Sequence, residues 1–102
     1  MIRRIVFFSL LALGPTAAAP DGAALFSSHC AVCHGEARLG GTGPALIPET
    51  LGRLKGGKLE AVIADGRPLT QMAGFGTQLD AADIAALAAF VTSPVAAVPD
   101  WG

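Results

Sequence analysis

Apolar residues recur at helical spacing in three stretches of the chain: Gly22, Leu25 and Phe26; Leu59, Val62 and Ile63; and Ile84, Leu87, Phe90 and Val91. Nowhere is there a convincing alternation of apolar and polar positions of the kind that marks a half-buried strand. The pattern therefore predicts several helices and offers no strand. Asp21 supplies an N-cap for the first helix, which is expected to carry the cysteines and the histidine of residues 30–34, and Asp80, with Asp83 in the first turn, caps the last. Leu79 and Ile84 flank that last start at the two positions of a hydrophobic staple, and Ser93-Pro94 ends the helix. A short helix is predicted at Pro48–Leu51, because proline is tolerated at a first helical position. Another runs over Leu59–Asp65, with Gly66 as a left-handed stop and Pro68 preventing resumption. Between these stretches lie glycine- and proline-rich loops, above all Gly35–Pro44 and Pro68–Gly76, in which no period survives. The last residues, 95–102, form an irregular tail with Trp101 near its end.

The N-terminus has a different pattern. Met1-Ile2-Arg3-Arg4 is basic, residues 5–13 are almost wholly apolar, and Gly14-Pro15 leads to Ala17-Ala18-Ala19. This order reads as a secretory signal peptide, residues 1–19, since a membrane span needs roughly 20 apolar residues and the run breaks too early. Removing 19 of the 102 residues leaves 83, a size at which apolar burial alone is marginal and a cofactor, metal or disulfide commonly assists. The remainder carries five Lys and Arg against eight acidic residues, a formal charge of −3. That balance argues against nucleic acid and against a polybasic membrane contact. The expectation is an exported, periplasmic, monomeric protein with no stable membrane insertion after cleavage.

The two cysteines stand together in Cys30-Ala31-Val32-Cys33-His34. Two thiols two residues apart, followed at once by histidine, form the attachment motif of a c-type haem. The thiols suit covalent addition to the haem, and His34 becomes the proximal iron ligand. A Cys30–Cys33 disulfide is the competing reading in an oxidising compartment. Structural zinc would need a separated second pair of ligands. His29 lies off the face of His34 and reads as a surface side chain.

A haem asks for three further things. The second ring N–H of a metal-bound histidine normally meets a fixed acceptor, and the Pro44 carbonyl is the candidate for His34. Leu46 and Phe75 are candidate haem-packing side chains. Met72, in a Pro- and Gly-bounded loop, is the candidate sixth ligand, since a thioether serves that position.

Taken in order, Gly22 and Phe26, the motif at Cys30–His34, Gly43-Pro44, Met72, and Leu87 with Phe90 resemble the class I c-type cytochromes along nearly the whole chain after residue 19. The resemblance implies a small all-α fold, residues 20–94, whose N- and C-terminal helices cross around one haem. The segment from Gly41 to Phe75 and the ending Val98-Pro99-Asp100-Trp101-Gly102 are also similar to small denitrification-associated cytochromes of the c55X kind. They are similar too to the c-haem domain attached to d1-haem propeller proteins. Resemblance implies a one-electron carrier, not an enzyme, with redox protein partners such as a nitrite reductase or a d1-haem protein. A haem enzyme or gas sensor with a displaceable Met72 is one alternative, and a docking domain for d1-haem protein maturation is another.

Overall fold

The computed structural model describes residues 19–98; residues 1–18 of the segment read as a signal peptide and the tail tryptophan, Trp101, lie outside them. Five helices are described: α1 (Gly22–His29), α2 (Ala31–His34), α3 (Pro48–Leu51), α4 (Lys58–Asp65) and α5 (Ala81–Val91). No strand occurs among the described residues, so the all-α expectation stands.

The helix starts follow local chemistry. The Asp21 carboxylate accepts from the N–H groups of Ala23 and Ala24 at 3.0 and 3.2 Å, satisfying two donors that the first turn leaves free. At α5 the Asp80 carboxylate accepts from the Asp83 N–H at 2.8 Å, while Asp83 accepts from the Asp80 N–H at 3.3 Å. A cap of this kind contributes about 1 kcal/mol. Leu79 and Ile84, the staple pair, are both buried.

Three boundaries differ from the pattern. A single helix was expected to carry the motif, yet Cys30 interrupts it at φ −117°, so α1 and α2 are separate. Gly66 closes α4 at φ 74°, ψ −170°, outside the left-handed helical region expected there. The α5 helix ends at Val91, and the Thr92 hydroxyl turns back to the Ala88 carbonyl at 2.7 Å.

The core forms where α1 meets α5. Phe26 and Leu87 are each 1% exposed. The Phe26 and Phe90 rings tilt against each other with centroids 5.4 Å apart, a favourable aromatic geometry. Gly22 permits this approach: a Cβ there would overlap the Ala86 carbonyl oxygen and lie 2.9 Å from the Phe90 Cβ. Leu59 and Ile63 of α4, Leu51 of α3 and Ala31 of α2 complete the same cluster. Burying a large apolar side chain contributes roughly 1.5–3 kcal/mol, so the Phe26–Leu87 contact region is what fixes the crossing.

Candidate functional site

Cys30 stands at the break between α1 and α2, half-buried, and Cys33 stands exposed one turn on; both are free thiols. Burial, and then the neighbouring Cys33, push the Cys30 thiol above its ordinary pKa, so it is neutral at physiological pH. No disulfide joins the two, the pairing that competes with haem attachment.

His34 closes α2 and is buried, at 9% exposure. Its Nδ1 lies 2.7 Å from the Pro44 carbonyl oxygen. A carbonyl only accepts, so Nδ1 carries the proton and donates, which leaves Nε2 with its lone pair. The loop that brings Pro44 there is bonded to the motif itself. Gly43 N–H donates to the Cys33 carbonyl at 2.7 Å, and Gly40 N–H to the His34 carbonyl at 2.9 Å. Gly43 passes directly against the imidazole: a Cβ on it would lie 2.7 Å from His34 Cε1. Any side chain at residue 43 would therefore displace either the ring or the loop.

Beyond the loop, Leu46 is half-buried against the core, and Ile47 is fully buried. Phe75 is also half-buried and packs against the core. The His29 ring meets Phe75 edge-on at 5.8 Å, so His29, read from its spacing as a surface side chain, is partly sheltered.

Met72 lies between α4 and α5, half-buried, in a loop held by backbone contacts. Its carbonyl accepts from the Arg67 N–H at 3.2 Å, and its N–H donates to the Thr70 hydroxyl at 3.2 Å. Downstream, Phe75 N–H donates to Ile63 O at 2.9 Å and Gly76 N–H to Ala64 O at 3.0 Å, pinning the loop along the end of α4. Gly66 makes this possible: its φ of 74° is open to glycine, and a Cβ there would lie 2.6 Å from the Met72 carbonyl oxygen.

One residue at the site escaped sequence reasoning. Arg38 is 4% exposed and adopts φ 63°. Its guanidinium donates to the carbonyls of Phe90 at 2.6 Å and Ser93 at 2.9 Å, and Cζ stands 4.8 Å from the Phe90 ring centroid. An arginine in a glycine-rich stretch carries no local signal of burial. Only its carbonyl partners, 52 and 55 positions away, account for it.

The donor set fits a covalently held haem. It comprises two unpaired thiols at the attachment spacing and a buried imidazole whose Nδ1 is engaged and whose Nε2 has no hydrogen-bond partner among the described residues. No helix among these residues is long and apolar enough to cross a membrane.

Comparison with known proteins agrees with this chemistry. The family model described as "Cytochrome C oxidase, cbb3-type, subunit III" matches residues 17–91. The chain is 50% identical over 93 residues to the dihydro-heme d1 dehydrogenase of Pseudomonas aeruginosa, covering 89% of this chain and 19% of that protein. It is 43% identical over 63 residues to cytochrome c55X of Stutzerimonas stutzeri, covering 62% of this chain and 56% of the relative. The chain thus spans about a fifth of one relative and a little over half of the other. Among solved structures, the c-type cytochrome NirC superposes with a TM-score of 0.63 at 36% identity, over 69% of this chain and 82% of that one.

Proposed function

The chain belongs to the c-type cytochromes, as a small member of the denitrification kind whose cofactor is one covalently bound haem c, and from that premise we propose that it is a periplasmic one-electron carrier. The observation that carries the reading is the proximal geometry: His34 is held by the Pro44 carbonyl with Nε2 left available.

When bound, the haem supplies the reversible one-electron couple of its iron. The protein's side chains do the rest. Cys30 and Cys33 tether the group, so it is retained through transient partner encounters. His34 is the proximal ligand, and its bond to Pro44 fixes the ring orientation and raises its basicity. Met72 would supply a thioether as the second iron ligand, which would leave the iron no position for substrate. Its neutral thioether and the apolar side chains Leu46 and Phe75 disfavour extra charge on the oxidised iron, which raises the potential. Export through the N-terminal segment, with cleavage near Ala19, places the carrier in the periplasm.

Spectra of the exported protein test this reading. The expected result is a six-coordinate, low-spin form with the long-wavelength sulfur-to-iron band. Met72→Ala should abolish that band and give a high-spin ferric form that binds added ligands. A parent protein that is already high-spin and binds ligands freely would instead support the ligand-binding or enzymatic alternative.

The similarity to a dihydro-heme d1 dehydrogenase favours a partner from the same chemistry, a nitrite reductase or another d1-haem protein. The acidic balance of the chain matches a basic rim on such a partner. Stopped-flow mixing of the reduced protein with purified nitrite reductase should show re-oxidation that slows as salt is raised. Absence of transfer to any such protein would count against this assignment.

A further inference from the structure

Arg38 is as deeply buried as the core side chains, and the carrier reading gives it no role. Its partners are two backbone carbonyls and an aromatic face, none of them a carboxylate. The carbonyls belong to the last turn of α5 and the residues just beyond it, where the helix presents its negative end. The ring contributes the negative face of its quadrupole. These groups tolerate the cation without cancelling its charge, and a guanidinium does not deprotonate in a protein. A full positive charge is therefore held out of water.

The backbone fixes the residue that carries that charge within the proximal loop. Arg38 N–H donates to the Gly35 carbonyl at 3.0 Å, one residue past His34. The Arg38 carbonyl accepts from Leu46 N–H at 2.9 Å, two residues past Pro44. The Arg38 main chain is thus anchored between the two ends of the segment that holds the imidazole, while the Phe90 and Ser93 carbonyls set its guanidinium. A fixed charge in a poorly solvated region acts over longer distances than a screened surface lysine.

We propose that Arg38 is a determinant of the redox poise: a permanent, desolvated cation fixed to the proximal-histidine loop, which favours the less positive, reduced state of the iron. This rests on the haem-carrier reading.

The test is spectroelectrochemistry on the haem-loaded protein, with thermal melting alongside. Arg38→Met removes the charge and keeps most of the volume. At a fixed solution potential it should raise the oxidised-to-reduced ratio about tenfold, a fall of ~59 mV for a one-electron couple. Arg38→Lys keeps the charge and loses the fork, and should hold that ratio within about twofold of the parent, although both variants melt earlier. Ser93→Asp, which adds a carboxylate beside the Nη2 partner without touching Arg38, should lower the midpoint relative to Ser93→Asn, and it decides the question if Arg38→Met does not fold.

An unchanged midpoint in Arg38→Met would make Arg38 a brace only. A fall in Arg38→Lys equal to that in Arg38→Met would assign the effect to geometry and not charge. Equal midpoints for Ser93→Asp and Ser93→Asn would also overturn the proposal. A parent lacking the low-spin six-coordinate spectrum fails the carrier reading itself; a parent with that spectrum and an indifferent midpoint fails this inference alone.

Discussion

Acid acetone should leave the haem on the parent protein and strip it from the double variant Cys30→Ala/Cys33→Ala. Each thiol adds across one vinyl group, with sulfur bonding to one carbon and the thiol hydrogen passing to the other, so no oxidant is needed and both links are thioethers. Either single variant keeps one link and should retain the haem; only loss of both leaves the haem with no covalent bond to the chain. The structure supports two independent additions, since both thiols are free and Cys33 is exposed, while the neutral Cys30 thiol sits half-buried at the helix break. A count of reactive thiols provides the second reading: none in the loaded parent or in either loaded single variant, against two and one in the same proteins without haem. Haem extracted from the parent, or retained by the double variant, would end the covalent assignment. Removal of the tether also bears on stability, because a domain of this size gains from a cofactor what its small core lacks.

The second large effect is at Gly22, where two principles pull in opposite directions. Alanine is the better helix former by about 1 kcal/mol, so propensity alone predicts that Gly22→Ala stabilises α1. Packing predicts the reverse. The added methyl would collide with the Ala86 carbonyl oxygen and lie 2.9 Å from the Phe90 Cβ and 3.0 Å from the Ala86 carbonyl carbon. Two of those three atoms are backbone, which has no rotamer to escape into, so α5 must lift from α1 and loosen the burial of Phe26 and Leu87. Overpacking of this kind costs about 1–3 kcal/mol, and the rigid partner puts this case at the upper end. A net loss of ~2 kcal/mol corresponds to a melting temperature lowered by roughly 8–16 °C in a domain this small. Gly52→Ala is the control: its Cβ would meet only the Pro48 carbonyl at 4.0 Å, and its backbone is already helical at φ −59°. That variant should melt at or slightly above the parent. If Gly22→Ala does the same, α1 and α5 are not in close contact in solution.

The parts of the molecule that were legible in the chain are those governed by local chemistry. Asp21 and Asp80 cap helices because a short carboxylate reaches the free N–H groups of its own next turn. Leu79 and Ile84 are staple residues at a fixed local spacing, and both are buried. The attachment motif is likewise local, since two thiols and an imidazole must stand within one turn of each other. Pro44 was legible at one remove, because a metal-bound histidine needs an acceptor, and the structure puts that carbonyl 2.7 Å from Nδ1.

What only the tertiary structure decided involves residues far apart in the chain. His29 looked solvent-facing from its own helix, but Phe75 shelters it from a different loop. Cys30 interrupts the helix that periodicity would have continued, and the Cys33 and His34 carbonyls turn instead to N–H groups of the following loop. Arg38 is the furthest case. A charged side chain among glycines reads as solvated, because burying an unpaired cation is costly. Two α5-end carbonyls and the Phe90 ring, all brought there by the α1–α5 crossing, offset that cost. The sequence by itself determined the helices, the haem attachment and the proximal pair, because each is set by groups within a few residues of one another. The closeness of the crossing, the pinned Met72 loop and the buried Arg38 were decided only once distant backbone segments had packed.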